Sequence, residues 1–376
     1  MTIMQSKIDQ LISQLCPDGV EFKELGEVLD YEQPTKYLVD EVNYSDEYLT
    51  PVLTAGQTFI LGYTNETNGV FSASKNNPVI IFDDFTTSFH WVNFDFKVKS
   101  SAMKMLRPKL NAEINFRFIY FTMRCINYAP QDHARQWISQ YSKFKIPLPP
   151  FEIQEEIVNI LNKFTELEAE LEAELEARMN QYKYYQSKLL DFNQAIIDNV
   201  NLTSIADITI GEFVHKNKQD LNAKYPVYNG GIRPTGYYDK YNNTANKIII
   251  SARGANAGYT NRILVDYWSG NSCYSVNVNH PDFNWNFVYY ILKHHQHSLI
   301  GEQQKGGIPA VSKKQVESIK IPKISLKEQE KMVSILDKFE VLVNDISIGL
   351  PAELKARRQQ YEYYRDKLLT FKEYAG

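Results

Sequence analysis

The chain has 376 residues, which is long enough for two or three domains, and its 20 Phe and 25 Tyr are sufficient for sizeable cores. A formal net charge of −4 excludes the strongly basic overall composition of many nucleic-acid-binding proteins. The cysteines Cys16, Cys125 and Cys273 lack metal-ligand spacing, and no apolar run is long enough to cross a membrane. We therefore expect a cytoplasmic protein with no metal site and no contact with a membrane.

The chain opens with a predicted helix stub at residues 1–17 and a globular segment at 18–148. In the stub, Ser6 to Leu15 mixes apolar and charged residues in the manner of a short amphipathic helix. The globular segment contains strand-like runs and then a helical run that begins at Phe118. It ends in a polar loop, Gln136 to Lys145, which leads into a short strand.

A long helix is predicted over residues 152–192, within a spacer segment at 149–198. Its apolar residues recur every three or four positions from Ile153 to Phe192, so they form one stripe, while Glu and Lys fill the other face. Pro149 and Pro150 lie just upstream, where proline is tolerated at a helix start. Such a helix would be roughly 60 Å long, and an apolar stripe of that length needs a partner.

A second globular segment, at residues 199–323, repeats the order of the first. Strand-like runs precede a helical run that begins at Phe287, and a polar loop from Gln303 to Lys320 follows. We therefore expect two segments with one fold and different sequences.

Charge is distributed unevenly within these segments. Acidic residues dominate positions 21–70, whereas basic residues are in excess over 71–145 and 201–320. A near-neutral chain can therefore still present two basic surfaces, although ordinary solvated charge explains the pattern equally well.

The last segment, residues 324–376, repeats the first spacer. Two blocks recur in order: Ile146-Pro147, Gln154-Glu155, Val158, Ile160-Leu161 and Lys163-Phe164 as Ile321-Pro322, Gln329-Glu330, Val333, Ile335-Leu336 and Lys338-Phe339, and Arg178, Gln181-Tyr182, Tyr184-Tyr185, Lys188-Leu189-Leu190 and Phe192 as Arg357, Gln360-Tyr361, Tyr363-Tyr364, Lys367-Leu368-Leu369 and Phe371. A repeat of this length indicates one structural unit used twice, and each helix is the natural partner of the other.

The second copy has its own start and stop signals. Ser325 and Glu328 form a capping-box pattern at its start. Four extra residues lie between its two blocks, and Gly349-Leu350-Pro351 in that region predicts a kink or a restart of the helix.

The sequence contains no convincing catalytic motif. It has no GxxxxGK[ST] and no GxGxxG after a strand, and the loop Gly254–Gly258 lacks a phosphate-binding lysine. Asp18 and Glu21-Phe22-Lys23 are too close together to occupy separate strands of a PD-(D/E)xK nuclease. His294–His297 lack accompanying carboxylates or cysteines and are better explained by the end of a helix. We predict no catalytic residue and no metal ligand.

Several of these motifs resemble the specificity subunit of type I restriction–modification systems. They are the runs Pro147–Ile157 and Leu350–Arg365 and the opening Leu15–Glu21. The resemblance covers the whole chain: the helix motifs are specific, and the globular segments match by position and general pattern. It implies an α/β (α+β) fold with two DNA target recognition domains, separated by two long antiparallel coiled-coil helices and related as a pseudo-two-fold internal repeat.

The resemblance also implies a function and partners. Each recognition domain would read one half of a bipartite, asymmetric site in double-stranded DNA. The helices would set the spacing and dock two methyltransferase (modification) subunits, with restriction (nuclease/translocase) subunits as further partners. S-adenosylmethionine, ATP and Mg²⁺ would belong to those subunits, so no cofactor is expected in this chain.

Side chains that hold phosphates or read bases are Lys, Arg and small polar or amide residues. In the first segment the candidates are Lys75, Asn76, Arg135, Gln136, Ser139, Gln140 and Lys143. In the second segment they are Arg233, Arg253, Arg262, Gln303, Gln304, Lys305, Lys313 and Lys314. For each single residue, ordinary surface polarity is the competing interpretation.

Two tyrosines are candidates for partner binding. Tyr184 and Tyr363 lie off the apolar stripes of their helices yet recur in both copies. Contact with a partner subunit and packing against the neighbouring globular segment are the two interpretations.

Two other functions compete with DNA recognition. The first is a coiled-coil scaffold whose globular domains bind protein or peptide. The second is a self-contained nuclease with a degenerate motif. DNA binding should weaken steeply with salt, because counterions are released, and metal-dependent cleavage by the isolated chain would reveal a nuclease.

Overall fold

The computed structural model describes residues 2–56, 58–109, 113–192, 197–301, 308–344 and 348–375. The chain forms two compact units, which are described separately below. The first comprises Met1–Glu170 and Lys355–Gly376, and the second comprises Leu171–Leu354.

Up to the first spacer the helices and strands are α1 Thr2–Leu15, β1 Glu21–Glu24, α2 Leu25–Val28, β2 Leu29–Glu32, β3 Thr50–Leu53, β4 Ile60–Thr64, β5 Val79–Asp83, β6 Phe89–Val92, β7 Lys97–Val98, β8 Met103–Pro108, α3 Phe116–Met123, α4 Gln136–Ser139 and β9 Lys145–Leu148. From the first spacer onward they are α5 Phe151–Leu190, β10 Asn199–Asn201, β11 Ala206–Ile210, β12 Tyr225–Tyr228, β13 Gly236–Tyr238, β14 Lys247–Ser251, β15 Thr260–Ile263, β16 Trp268–Ser269, β17 Cys273–Val278, α6 Trp285–His294, α7 Gln296–Gly301, α8 Lys313–Glu317, β18 Lys320–Pro322, α9 Leu326–Asn344 and α10 Leu350–Leu368.

The sheets of the two globular segments have the same topology. A four-stranded antiparallel sheet has the order β2-β8-β5-β6 in the first unit and β11-β17-β14-β15 in the second. A three-stranded sheet has the order β4-β3-β7 or β13-β12-β16, and each includes one parallel pair. A two-stranded ribbon, β1-β9 or β10-β18, closes each segment. The prediction of one mixed helix-and-strand fold used twice is therefore confirmed.

In each unit a helix covers the four-stranded sheet and joins it to the spacer. The helix is α3 in the first unit, where six of eight residues are buried, and α6 in the second, where six of ten are buried. Its aromatic side chains share one core with the central strands and with the apolar stripe of a spacer helix. This shared core fixes the position of each globular segment on its spacer.

The start and the end of the chain lie together in the first unit. Ile8 of α1 is in the same core as Tyr361 and Leu369. Beyond α1, the backbone N–H of Val20 donates to the carbonyl of Lys372, and the N–H of Tyr374 donates to Val20. The N-terminal helix α1 therefore packs near the end of the C-terminal helix α10.

The spacer helices follow the sequence signals. The long predicted helix is α5, and the predicted capping box forms: Glu328 N–H donates to Ser325 Oγ at 3.3 Å, and Ser325 N–H donates to Glu328 Oε2 at 3.2 Å. The second spacer restarts at Leu350, where Pro351 lies in the first turn of α10 and needs no hydrogen-bonded N–H. None of the described helices combines the length and the apolar content needed to cross a membrane.

Equivalent aromatic contacts hold the spacer in each unit. In the first unit, Phe164 of α5 stacks on Tyr364 of α10, with centroids 5.6 Å apart. In the second unit, Phe339 of α9 stacks on Tyr185 of α5 at 5.4 Å. These four residues occupy matching repeat positions, so each unit uses the same contact.

Within the first unit, α5 and α10 run antiparallel. Phe164 contacts Tyr364, and Glu168, one turn further along α5, pairs with Arg358 at 2.6 Å. A later residue of α5 therefore contacts an earlier residue of α10. This agrees with the predicted antiparallel pairing of the spacers.

Candidate nucleic-acid interface

The polar loop of the first unit is attached to the end of β5 by a buried carboxylate. The N–H of Trp137 donates to Asp84 Oδ1 at 2.8 Å, and the N–H of Gln136 donates to the Asp84 carbonyl at 2.7 Å. Lys104 Nζ lies 3.4 Å from Asp84 Oδ2, and both side chains are 1% exposed. The ion pair thus fixes the loop on a rigid sheet, as a recognition surface requires.

Four predicted DNA contacts lie exposed on this loop. They are Arg135, Ser139, Gln140 and Lys143. Ser139 Oγ donates to the Arg135 carbonyl at 2.7 Å, which holds the turn of α4 together. The backbone geometry thus presents a short basic and polar stretch to solvent.

Gln136 has a different position. It is 2% exposed, and its Oε1 accepts a hydrogen bond from the Tyr128 hydroxyl at 2.7 Å. Its Nε2 donates to Asp132 Oδ1 and to the Ala134 carbonyl, both at 2.9 Å. These contacts contradict the prediction that Gln136 reads a base edge, because its amide is engaged inside the protein. Gln136 instead shapes the loop that carries its exposed neighbours.

Lys75 and Asn76 form the tip of a separate tight turn. Ser74 and Asn77 exchange two backbone hydrogen bonds of 3.1 Å, and both tip residues are exposed. The turn precedes β5, whereas the polar loop is attached beyond the end of β5. A five-residue strand spans about 17 Å at about 3.3 Å per residue, so the two sets belong to different ends of the strand.

The second unit brings a basic loop and Arg253 together. The N–H of Val311 donates to the Ala252 carbonyl at 2.9 Å, and Arg253 forms a backbone bridge with Ala310. Lys313 and Lys314, both exposed, follow directly at the start of α8. These three cations therefore share one surface.

Arg233 is exposed on a neighbouring bend. At Gly230 in the same bend φ is +83°, and a Cβ there would lie 2.8 Å from the Arg253 carbonyl oxygen. Glycine allows this close approach, which holds the bend against the backbone of Arg253. Gln303, Gln304 and Lys305, the other predicted contacts of the second unit, lie outside the described residues.

Arg262 does not belong to this surface. Its guanidinium donates to Asp337 Oδ1 at 2.7 Å and to Glu340 Oε2 at 2.8 Å, and lies 5.0 Å from the ring centroid of Tyr289. Burial opposes its charge, but Tyr290, Glu340 and Asp337 outweigh burial and raise the pKa of Arg262. The prediction that Arg262 contacts DNA is contradicted, because both sides of its guanidinium fork are used within the unit.

The residues that sequence reasoning missed are the anchors of the loops. Asp84 lies in the run Phe82–Phe85, which resembles an ordinary strand end, and Lys104 lies between two methionines of a strand. Their pairing depends on the register of β5 with β8, which no local pattern reveals.

Tyr184 and Tyr363 are exposed to 58% and 61%. Each ring makes an edge contact with the next tyrosine along its helix, Tyr185 at 5.6 Å and Tyr364 at 5.2 Å. The second tyrosine of each pair, Tyr185 or Tyr364, stacks on a phenylalanine of the facing spacer helix. It therefore holds the outer ring, that of Tyr184 or Tyr363, in position. Because most of each outer ring faces solvent, packing within the described parts of the unit does not account for it.

In the parts of the chain that the structure describes, no group of three His, Cys, Asp or Glu side chains could hold a metal ion. The cysteines Cys16, Cys125 and Cys273 are free thiols. Burial raises the pKa of the Cys125 and Cys273 thiols to about 11, so neither is a reactive thiolate near neutral pH.

Known proteins share both the sequence and the fold. The family model for the type I restriction modification DNA specificity domain matches residues 17–179 and 197–356. The specificity subunit of the Escherichia coli type I restriction enzyme EcoR124I/EcoR124II is 39% identical over 386 residues, which covers 94% of this chain and 95% of that one. A putative type I restriction enzyme specificity subunit of Haemophilus influenzae is 30% identical, covering 84% and 86%. The crystal structure of a type I restriction-modification S subunit from M. genitalium has a TM-score of 0.67 at 18% identity, covering 93% of this chain and 96% of that one, which shows a common fold.

Proposed function

The chain belongs to the type I restriction–modification DNA specificity family, and on that premise we propose that it is the non-catalytic subunit that selects the DNA site for such a complex. The observation that carries the proposal is the doubled unit: two globular segments have one topology and differ in their exposed loops. Two different readers on one fold suit a bipartite, asymmetric site in double-stranded DNA. The target recognition domains would be residues 18–148 and 199–323, and the spacers 149–198 and 324–376.

We assign DNA contacts to the exposed loops of each unit. In the first unit they are Arg135, Ser139, Gln140 and Lys143, with Lys75 and Asn76 on a second turn. In the second unit they are Arg233, Arg253, Lys313 and Lys314, together with Gln303, Gln304 and Lys305. The anchoring of the first loop by Asp84 and of the second by backbone bonds supports this assignment, because a reading loop must keep its geometry.

The spacer helices would dock two methyltransferase subunits, one on each copy. Tyr184 and Tyr363 support this, since they are large, exposed and equivalent in the two copies. Restriction subunits would join the same complex. S-adenosylmethionine, ATP and Mg²⁺ would be bound by those subunits, in keeping with the absence of nucleotide-binding motifs from this sequence.

Methylation mapping tests the function. DNA from cells that carry this chain and its companion methyltransferase should be methylated at one split sequence with two different halves and an unread gap. Lys143→Ala and Lys313→Ala should each lower affinity evenly across sequences and reduce the salt dependence. A single continuous site, or DNA binding that is insensitive to salt, would contradict the proposal and favour a protein-binding scaffold.

The docking surface is tested by the mass of the complex in light scattering. Tyr184→Ala should leave one methyltransferase bound, Tyr363→Ala should leave the other, and the double variant should bind neither at concentrations that saturate the wild type. If the double variant assembles with unchanged affinity, the docking surface lies elsewhere on the helices.

A further inference from the structure

In the second unit, two cations at the junction between globular segment and spacer are neutralised by the spacer itself. Arg262 pairs with Asp337 and Glu340, and Lys293 Nζ lies 2.6 Å from Glu340 Oε1. The guanidinium also lies over Tyr289. Two positive and two negative groups therefore balance at this junction.

The first unit has two cations in the corresponding places. Trp91 pairs with Ile80 in the first sheet, and Arg262 pairs with Ile248 at the equivalent position of the second sheet. The guanidinium of Arg117, a residue of α3, lies 4.6 Å from the centroid of the Trp91 ring. Arg117 is also 4.7 Å from the ring centroid of Tyr120, the counterpart of Tyr289. The cation thus comes from the helix in the first unit and from a strand in the second, but in both units it lies over the equivalent aromatic residue.

Arg124 completes the correspondence. Its Nη1 donates to the Tyr120 hydroxyl at 3.2 Å, as Lys293 Nζ donates to the Tyr289 hydroxyl at 2.7 Å. Both junctions therefore hold a second cation at the end of the covering helix. Arg117 is half-buried and Arg124 is exposed, so the pair is open to solvent on one side.

The carboxylates have no counterpart in the first unit. The repeat positions of Asp337 and Glu340 are occupied by Asn162 and Thr165, and Arg117 Nε meets only the neutral Asn162 Oδ1, at 3.3 Å. Across the described ranges, no carboxylate forms an ion pair with Arg117 or Arg124. Burial lowers the pKa of Arg117, as expected for a cation without a counter-ion.

A third arginine lies near this junction and has its own counter-ion. Arg365 of α10 lies 5.8 Å from the Tyr361 ring centroid. Arg365 has a partner in its neighbour Asp366, at 2.7 Å. Asp366 therefore offsets the charge of Arg365, whereas in the described part of the chain no ion pair offsets the charges of Arg117 and Arg124.

We propose that Arg117 and Arg124 form a receptor for a carboxylate side chain of a docked protein, namely the methyltransferase subunit that docks on the spacer helices of the first unit; this inference rests on the proposed function. The second unit shows the arrangement that we expect in the complex, because there the helix carboxylates of Asp337 and Glu340 fill the equivalent space. The site also adjoins Asn162, which is partly exposed on the spacer helix α5 that we assign to docking. A charge-assisted bond from a half-buried guanidinium is both strong and directional.

The sharpest test fills the site with the chain's own carboxylates. Asn162→Asp combined with Thr165→Glu installs the arrangement of the second unit beside Arg117 and Arg124. We expect the melting temperature to hold or rise, while the affinity of one of the two methyltransferase copies falls at least tenfold. Titration of purified chain with purified methyltransferase, followed by light scattering, measures both copies. Lys240→Glu, which changes the net charge equally at an exposed site of the second unit, should leave both copies bound.

A second variant removes the cations. Arg117→Gln with Arg124→Gln should weaken the same copy, and the remaining binding should depend less on salt than in the wild type. The wild type must first bind two methyltransferases; if it binds none, the proposed function itself fails. If the wild type binds two and both variants bind two with unchanged affinity, the carboxylate receptor is overturned. If the variants instead lose DNA affinity with assembly intact, the site holds a phosphate and the inference is equally overturned.

Discussion

The two units differ in which of two sites, the anchor of the recognition loop or the spacer junction, contains an ion pair. In the first unit an ion pair, Asp84 with Lys104, anchors the recognition loop, while the spacer junction lacks carboxylates. In the second unit the loop anchor is neutral: Ala252 replaces the aspartate, and the hydroxyl of Tyr274 donates to the Val311 carbonyl at 3.1 Å. The partly buried ion pairs of Arg262 and Lys293 with Asp337 and Glu340 lie at the spacer junction of the second unit instead. The same topology is therefore compatible with opposite distributions of charge.

One polar contact is shared by both units, and it shows what the repeat does constrain. The buried amides of Gln154 and Gln329 accept hydrogen bonds from the backbone N–H of Asn115 at 3.0 Å and of Asn284 at 2.8 Å. Each asparagine caps the helix that covers the sheet. Both spacers thus keep the contact that orients the globular segment. The ion pairs differ between the units because several residue types can occupy the equivalent positions.

The largest effect should come from the loop anchor of the first unit. Asp84→Ala leaves Lys104 as a buried, unpaired cation and should cost about 4 kcal/mol of unfolding free energy in that unit. Tyr274→Phe, at the register position equivalent to Lys104, removes one neutral hydrogen bond and should cost about 1 kcal/mol. Hydrogen exchange read by mass spectrometry resolves the two units. Equal losses would show that the two anchors do not differ as their charges suggest.

Next in size is the spacer junction. Glu340→Gln removes the charge that neutralises Arg262 and Lys293 and should cost the second unit about 3 kcal/mol. Thr165→Ala at the equivalent place in the first unit should cost about 0.5 kcal/mol. Urea denaturation of each variant measures the difference, and a cost below 1 kcal/mol for Glu340→Gln would mean that the ion pairs add little to stability.

The shared contact should respond equally in both units. Gln154→Met and Gln329→Met keep the side-chain volume but leave the cap N–H without an acceptor, so each should cost about 2 kcal/mol. Hydrogen exchange at the first turns of α3 and α6 reports the local loss. Clearly unequal effects would contradict the equivalence of the two amides.

Acid should affect the junction of the second unit. Burial alone would raise the pKa of Glu340, but Lys293 and Arg262 outweigh it and hold the pKa below its usual value. The stabilisation is therefore complete above the unfolded pKa of about 4.3 and is lost as pH falls through the folded pKa. Melting temperatures measured from pH 6 to pH 3 should fall less in Glu340→Gln than in the wild type. Parallel curves would show that other carboxylates dominate acid unfolding.

The sequence predicted the features that depend on local pattern. The repeated blocks predicted the doubled fold, the apolar stripe predicted α5, and Ser325 with Glu328 predicted the capping box. These features succeed because each is encoded within a few turns of one segment.

The failures concern side-chain partners that no periodic pattern in the sequence encodes. Gln136 looked like a base-reading residue because it lies in a polar loop, but Tyr128 and Asp132 hold its amide inside the protein. Arg262 looked like a surface cation because its counter-ions are on a helix far along the chain. Asp337 and Glu340, three positions apart on one helix face, were the available signal.

Because the two junctions carry different charges, moving a recognition segment from the first spacer to the second should differ in its effect from the reverse exchange. A graft of residues 18–148 onto the second spacer would bring Arg117 and Arg124 against Asp337 and Glu340, so both transplanted arginines would gain counter-ions. The reciprocal graft would carry the cations of the second segment to a spacer that offers only neutral groups. Chimeras of the first kind should therefore fold more readily than those of the second, and recombination between the halves should be tolerated in one direction more than in the other.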